Sequence, residues 1–263
     1  MLSWLRDRRR QAILETPFPT HWDGIMGRNV PHVTWLSSPE RQHLRELVQV
    51  FVAEKRWEGA GGLTLTDEVR VTIAAQACLL ILGLEHELYR RVESIVVYPS
   101  TVVPRRREPS VLSTAVRLAD QPMPILGQAF VRGPVILVWD AVRSGGRDPV
   151  DGKNVVYHEF AHKLDMLTGH ADGVPPLADR ETYHRWVSAL THEYDQLQQR
   201  FERGRSTFLD AYALTNGAEF FAVATEFFFE RPETMARDHT VMYEVLQAFY
   251  RQDPAARLRT RGS

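Results

Sequence analysis

Apolar side chains recur at helical spacing in several segments of the chain. In the segment SPERQHLRELVQVFVAEKRWEG, this pattern predicts a helix that begins at Pro39, with Ser38 as its N-cap. The same spacing predicts helices over residues 67–82 and 180–204. Two late segments, GAEFFAVATEFFFERP and TVMYEVLQAFYRQDP, are predicted to form a helical pair that closes the fold.

Two short runs of β-branched residues, SIVVYPS and GPVILVWD, are bounded by Pro, Gly or Ser and predict strands. The residues between these runs are rich in turn signals and arginine, which favours a loop with hairpin pieces. Within this segment, we expect the residues from Thr101 to Val131 to form a loop that gates the active-site cleft. The segment RSGGRDPVDGKN predicts a further loop that leads to the next helix.

These elements predict an α+β protein with one core and no internal repeat. Residues 1–36 mix Arg, Pro and Trp with little periodicity and are predicted to form an irregular arm. Residues 37–254 are predicted to form the single domain, with a helical N-terminal lobe over 37–95 and a catalytic core with a small sheet over 96–254. Residues 255–263 form a predicted basic tail.

Composition narrows the class of protein further. A chain of 263 residues that is 44% hydrophobic can bury one substantial core. Because 32 basic residues face 33 acidic ones, no overall field favours nucleic acid or a membrane as a partner. Cys78 is the only cysteine and reads as a core residue, and the absence of an intrachain disulfide fits a reducing compartment. We find neither a signal peptide nor a bilayer-spanning run, so we expect a soluble, cytoplasmic protein.

The segment VVYHEFAHKLD carries the strongest candidate for chemistry. On a helix, His158 and His162 lie about 40° apart and one turn from each other, so both imidazoles can reach one metal ion. Asn154 is a suitable N-cap, Gly169 is a suitable stop, and the opposite side of the helix is apolar. Neutral imidazole is a good zinc ligand, and Glu159 could accept a proton from a water molecule that the metal polarises. The motif therefore predicts a zinc site with Glu159 as its general base.

The alternative interpretation of this motif is a pair of hydrogen-bonded histidines on a half-buried helix. A random chain of this composition would contain the His-Glu-x-x-His spacing about 0.03 times. His-Glu dipeptides also occur at His86 and His192, but neither is followed by a second histidine at the required spacing. Both are interpreted as surface residues on helices. Helix signals, placement on one face and ligand chemistry agree for the complete motif, which favours the metal site.

Catalytic zinc sites usually have three protein ligands, so the motif needs one more. Asp165 and Thr168 stand where the metzincin motif has Gly and His, which excludes that subclass. Asp165 shares the metal face, and we expect it to orient a ligand or to make a structural hydrogen bond; direct ligation is less favoured because its side chain is short. Better donors are Glu219 and Glu226, which lie in an otherwise apolar helix and share one face, so periodicity cannot separate them. Glu230, at the end of that helix, is expected to be exposed.

Tyr212 lies seven residues before Glu219. A phenol near the metal could donate a hydrogen bond to the oxyanion of a tetrahedral intermediate. A buried structural tyrosine is an equally good interpretation of this residue taken by itself.

The segments HEFAHKLDMLTG, DAYA and AEFFAVATEFFFERP resemble the Mlc titration factor A family of bacterial cytosolic zinc metallopeptidases, which have a zincin-like core similar to that of anthrax lethal factor. The likeness extends from TPFP to AFYRQDP and includes AAQACLLILGL. The resemblance implies one zinc ion per chain, held by a gluzincin-type set of His158, His162 and Glu219, and it implies an oxyanion role for Tyr212. Some members have an additional upstream histidine, whereas no histidine lies between His86 and His158 here.

The resemblance also implies a partner, because the family is named for binding the repressor Mlc. Two functional hypotheses follow. The first is a zinc-dependent peptidase that cuts a peptide or protein substrate, with the strand GPVILVWD available to pair with an extended peptide. The second is a zinc-binding regulator that sequesters a transcriptional repressor without catalysis. The intact Glu159 argues against the second hypothesis, because a structural metal site needs no general base.

Overall fold

The computed structural model describes residues 2–100 and 133–261 of the chain. The chain is mainly helical within these ranges. The helices are α1 (Leu2–Glu15), α2 (Thr20–Asn29), α3 (Ser38–Glu54), α4 (Asp67–Leu80), α5 (Trp139–Arg147), α6 (Val155–Asp165), α7 (Arg180–Glu202), α8 (Gly217–Glu230), α9 (Pro232–Asp238), α10 (Thr240–Tyr250) and α11 (Pro254–Arg261). Short 3-10 helices occupy Pro31–Trp35, His86–Arg91, Met166–Thr168 and Ala211–Thr215.

A small parallel sheet accompanies the helices. Its strands, in spatial order, are β1 (Arg56–Gly59), β2 (Ser94–Tyr98) and β3 (Val135–Val138). Ile95 of the central strand pairs with Val135 of β3, and both side chains are buried. The strands β2 and β3 confirm the two strands predicted from β-branched runs. The combination of many helices with one small sheet confirms the α+β class.

Helix α6 occupies the centre of the fold, where it packs against α4 and α8. Its residue Phe160 is fully buried, with its ring centroid 4.9 Å from that of Tyr89 and 5.7 Å from that of Phe51. Val156 and Leu164 on the same side are also fully buried. The predicted apolar back of this helix is therefore confirmed, and the core holds the helix in place.

The N-terminal residues 1–36 were expected to form an irregular arm, and this expectation is wrong because they include α1 and α2. Arg10 of α1 donates from Nε to Glu54 Oε1 of α3 at 2.7 Å. Trp22 of α2 donates from Nε1 to Asp67 Oδ2 at the start of α4, at 2.9 Å. Polar contacts with distant residues and the burial of Ile25 and Met26 in the core together hold this segment. Local apolar periodicity does not reveal contacts between distant residues.

Helix α3 begins one residue earlier than predicted, because Ser37 rather than Ser38 is its N-cap. Glu40 N donates to the Ser37 hydroxyl at 3.4 Å, and Ser37 N donates to Glu40 Oε2 at 2.8 Å. This capping box satisfies two backbone donors at once. The helix ends at Glu54, and the residues that follow it form β1, which the continuous helical pattern concealed.

Two further segments that were expected to be irregular are also helical. The first residues of RSGGRDPVDGKN belong to α5, where a Cβ at Gly145 would lie 2.6 Å from Lys153 O. Glycine therefore permits a close approach there rather than marking a loop. The expected basic tail forms α11, whose Arg257 donates from Nη2 to Glu40 Oε1 at 2.6 Å. The predicted gate from Thr101 to Val131 lies outside the described residues.

Among the described residues, no helix is long and apolar enough to cross a membrane. Cys78 is fully buried within α4, as expected for a small core residue. Burial raises the pKa of its thiol, so the residue is held in the neutral form.

Candidate metal centre

The motif helix α6 begins and ends where the sequence predicts. Asn154 is its N-cap, and its Oδ1 accepts hydrogen bonds from Val156 N and Tyr157 N, both at 3.1 Å. The helix passes into a 3-10 turn that closes at Gly169, whose φ of 98° lies in the left-handed region. The face opposite the buried back carries both histidines.

His158 and His162 lie beside Glu219, which α8 contributes from its first turn. The two Nε2 atoms of the histidines are 3.2 Å apart. Glu219 Oε2 lies 3.0 Å from Nε2 of His158 and 3.3 Å from Nε2 of His162. The three side chains are only 15%, 14% and 10% exposed. Among the described residues, this is the group of three or more His, Cys, Asp or Glu side chains that could hold a metal ion.

The spacing of these three donor atoms fits a metal ion of the size of zinc. Four ligands at about 2.0 to 2.1 Å around a tetrahedral zinc ion are separated from each other by about 3.3 to 3.4 Å. The observed separations of 3.0 to 3.3 Å are close to that value. Glu219 Oε2 is also buried without a properly aligned hydrogen-bond donor. A carboxylate oxygen so placed is suited to a cation.

The electrostatics of the cluster also favour positive charge. Burial lowers the pKa of His158, but contacts with Glu219 and Glu226 outweigh burial and raise it to about 10. Burial raises the pKa of Glu219, but contacts with His158 and His162 outweigh it and lower it to about 2. In the metal-free protein the carboxylates therefore stabilise a positive charge at the imidazole of His158, in the place where a metal cation would provide it.

Helix α8 carries two glutamates that sequence periodicity could not separate, and the structure gives them different contacts. Asn216 caps this helix by accepting from Glu219 N at 3.0 Å, which sets the position of Glu219 in the first turn. Glu219 meets both histidines at Nε2. Of the two histidines, Glu226, two turns later, contacts His158, where its Oε1 lies 2.8 Å from Nδ1.

Glu226 and Glu230 also hold the start of the motif helix. Asn154 N donates to Glu226 Oε2 at 2.6 Å. Glu230 accepts from Gly152 N at 3.0 Å and from Asn154 Nδ2 at 3.1 Å. Glu230 is 1% exposed, so the expectation that it is exposed is wrong. The error has a physical cause, because the partners of Glu230 are backbone and side-chain donors from a distant loop.

Asp165 contacts a loop rather than the histidines. Its Oδ2 accepts from Gly173 N at 2.9 Å, and its side chain is fully buried. Burial raises the pKa of this carboxyl to about 6, although the backbone donor at Gly173 opposes the shift. Of the interpretations left open by the sequence, the structure favours a structural hydrogen bond over a metal ligand.

Glu159 and Tyr212, the two residues expected to take part in chemistry, both lie next to the histidine pair. Glu159 is half-buried on α6. One turn later, Lys163 donates from Nζ to Gly133 O at 3.2 Å, which ties the motif helix to the residues before β3. The ring of Tyr212 lies beside that of His158, with centroids 6.0 Å apart. Asp210 caps the 3-10 turn that carries it, because Tyr212 N donates to Asp210 Oδ1 at 2.9 Å.

The sequence did not predict that Asn154 does more than cap α6, and it did not predict the partners of Glu226 and Glu230. One signal was visible, because buried carboxylates in an apolar helix demand donors. The donors themselves lie more than 60 residues away in the chain, at Gly152, Asn154 and His158. No local pattern connects residues at that separation.

Comparison with known proteins places the chain in a family. A family model described as glucose-regulated metallo-peptidase M90 matches residues 4–251. An uncharacterized protein of Synechocystis sp. is 38% identical over 253 residues, covering 95% of this chain and 90% of that protein. Mlc titration factor A of Yersinia pestis is 33% identical over 237 residues, covering 88% of this chain and 84% of that protein. The protein of the same name in Yersinia pseudotuberculosis gives the same values. The resemblance to the Mlc titration factor A family is thus confirmed, and the chain belongs to the glucose-regulated metallo-peptidase M90 family.

Proposed function

We propose that this protein is a zinc-dependent peptidase with a zincin-like core, in which His158, His162 and Glu219 hold one zinc ion. The observation that carries the proposal is the convergence of three ligand atoms at separations of 3.0 to 3.3 Å. Two imidazoles and one carboxylate form the ligand set of several zinc hydrolases, and such a set leaves a position for water or substrate. Membership of a metallopeptidase family agrees with this chemistry.

Glu159 is the residue that moves protons in this proposal. A zinc ion bound at the site would polarise a water molecule and the substrate carbonyl. Glu159 follows His158 directly on the motif helix and is half-buried, which supports a role beside a water molecule bound in the site. It accepts the proton of the attacking water and later donates it to the leaving amine.

Tyr212 is the candidate for stabilising the substrate oxygen. Its ring lies 6.0 Å from that of His158, centroid to centroid, on the segment that precedes α8. From this side its hydroxyl donates a hydrogen bond to the carbonyl oxygen as negative charge develops there. Lys163 of the motif helix contacts Gly133, just before β3, and β3 is an edge strand of the sheet among the described residues. In this proposal an extended peptide pairs with the backbone of β3.

The test of this function compares the wild type with Glu159→Gln. Zinc content is measured in the purified proteins, and hydrolysis is measured on a broad peptide library. We expect about one zinc ion per chain in both, and a rate reduced by about 100-fold or more in the variant, because a general base contributes about that factor. Glu181→Gln is the matched control, since Glu181 is exposed on α7 and should leave both quantities unchanged.

A second candidate function is regulation by binding a transcriptional repressor. The observation in its favour is that relatives 33% identical to this chain carry the name Mlc titration factor A. A zinc-loaded wild type that cuts no peptide in the library, and that binds a repressor equally well with or without Glu159→Gln, supports this candidate. A wild-type protein that binds no zinc would contradict the peptidase proposal, because the proposed reaction requires the metal ion.

A further inference from the structure

His158 has a partner at each of its two ring nitrogens. Nε2 faces the cluster formed with His162 and Glu219, and Nδ1 lies 2.8 Å from Glu226 Oε1. The Glu226 side chain is 10% exposed, so water offers it few alternative hydrogen bonds. A neutral imidazole carries its proton on one nitrogen and a lone pair on the other, and only the lone pair can bind a metal.

The second oxygen of Glu226 has a partner that cannot change its role. Asn154 N lies 2.6 Å from Glu226 Oε2, and a backbone N–H is always a donor. A carboxylate accepts at both oxygens, so it satisfies the backbone donor and the ring Nδ1–H at the same time. In that arrangement the neutral His158 ring, which is the form that binds metal, carries its proton on Nδ1, and the lone pair of Nε2 faces the cluster.

We propose that Glu226 is a positioning residue that holds the His158 ring in the form that binds metal, with the Asn154 backbone donor fixing how Glu226 itself is oriented. This inference rests on the proposed zinc site. It gives a role to Glu226, which is not one of the three proposed ligands. One helix thus supplies both the Glu219 carboxylate and the group that orients His158.

Glutamine at position 226 exposes this role because it has one acceptor and one donor in place of two acceptors. If its oxygen accepts from Asn154 N, its amide N–H groups face His158 and favour the ring form with the proton on Nε2, which cannot bind metal. If its oxygen faces His158 instead, the amide is left against the Asn154 N–H, which costs free energy at a buried site. Either orientation weakens metal binding.

Glu230→Gln is a matched control for this substitution. Glu230 lies one turn further along α8, is buried, and also accepts at both oxygens, from Gly152 N and from Asn154 Nδ2. Glutamine there perturbs the same helix junction without changing the partner of His158 Nδ1. Within the described residues, Glu230 makes no hydrogen bond or ion pair with His158, so a loss caused only by loosening this junction would affect both variants equally.

The experiment measures the dissociation constant for zinc by competition with a chromophoric chelator, in the full-length wild type, Glu226→Gln and Glu230→Gln. We expect Glu226→Gln to bind zinc about 10- to 100-fold more weakly, and Glu230→Gln to change binding less than about threefold. The absorption spectrum of bound Co²⁺ should also change in Glu226→Gln only, since it reports the arrangement of ligands around the metal.

Two results would overturn the inference while leaving the zinc site intact. One is wild-type affinity in Glu226→Gln, and the other is an equal loss in both variants. If Glu226→Gln does not fold, as judged by circular dichroism, Glu226→Ala replaces it in the same comparison with the same expected loss. A wild type that binds no zinc overturns both this inference and the proposed function.

Discussion

Asp165 and Glu226 are both buried carboxylates on or beside the motif helix, but they bind different groups. Glu226 contacts the ring of His158, whereas Asp165 accepts from Gly173 N at 2.9 Å. The difference shows that burial and charge near a metal motif do not by themselves identify a ligand. The hydrogen-bond partners distinguish the two residues, because Glu226 contacts a histidine of the motif and Asp165 contacts a loop backbone N–H.

Asp165→Ala should reduce stability without removing the metal. Loss of the carboxylate leaves Gly173 N buried without its acceptor, which costs about 1 to 3 kcal/mol of the free energy of unfolding. Urea unfolding measures the loss, and the zinc content of the folded variant should remain at the wild-type value. A folded Asp165→Ala protein without zinc would contradict the assignment of Asp165 to a structural hydrogen bond.

At this scale the sequence predicts the residues of the motif but not all of their partners. The spacing of His158 and His162 on one helix is enough to bring their Nε2 atoms within 3.2 Å. Glu219 and Glu226 share one face of α8, so their separate contacts depend on where α8 crosses α6. That crossing is set by packing between residues distant in the chain, which one-dimensional periodicity does not contain.

At the scale of elements, Asn154 does more for the start of α6 than an ordinary N-cap residue does. Asn154 accepts from two backbone donors with its Oδ1, and it also donates to Glu230 Oε1 at 3.1 Å. By contrast, the N-cap of α7, Asp179, accepts from Thr182 N on the protein surface. The first cap joins two helices, and the second serves only its own helix.

Asn154→Ala should therefore be more destabilising than Asp179→Ala. We expect losses in the free energy of unfolding of about 2 kcal/mol for Asn154→Ala and about 1 kcal/mol for Asp179→Ala, because both lose a cap and only Asn154 also leaves a buried partner unsatisfied. Urea unfolding at a single pH provides both values. Equal losses in the two variants would show that the contact with Glu230 contributes nothing.

The end of α8 should make stability depend on pH. Burial raises the pKa of Glu230 to about 9 from 4.5, and Asp151 and Glu226 add to this shift, although the hydrogen bond from Asn154 opposes it. Between these values the folded state holds a proton that the unfolded state has lost. The contribution of Glu230 is therefore complete below its unfolded pKa and is lost as pH rises toward its folded pKa.

Glu230→Gln cannot ionise, so it should flatten that dependence. The slope of unfolding free energy against pH should differ between wild type and variant by up to about 1.4 kcal/mol per pH unit, which corresponds to one proton. Urea unfolding of the chelator-treated proteins at several pH values from 5 to about 9 measures it. Parallel pH profiles for the two proteins would contradict a raised pKa at Glu230.

Helices whose apolar residues recur at regular helical spacing could be predicted from the sequence. Helices that depend on contacts with distant residues could not. The helix α4 and the motif helix follow from periodicity and caps, and both occur where expected. The helix α1 depends on ion pairs with distant residues such as Glu54, and α5 contains glycines that disfavour a helix in isolation. Tertiary contacts overrode local preference in both of these elements.

For the whole molecule, the arrangement of helices explains why a metal centre can form at all. The motif helix lies between α4, which packs on its apolar side, and α8, which brings Glu219 to the face with the histidines. Candidate ligands that come from two packed helices are held by the core rather than by mobile loops. The class of this fold was predictable, whereas the packing that brings α8 to α6 required the three-dimensional structure.

Anomalous diffraction from crystals of the zinc-loaded protein, measured at the zinc absorption edge, would show where the metal ion binds. We expect one strong peak per chain, within about 2.0 to 2.2 Å of Nε2 of His158, Nε2 of His162 and a carboxylate oxygen of Glu219. Absence of a peak between these three side chains, or a peak coordinated by Glu226 or Asp165 in place of Glu219, would contradict the proposed ligand set.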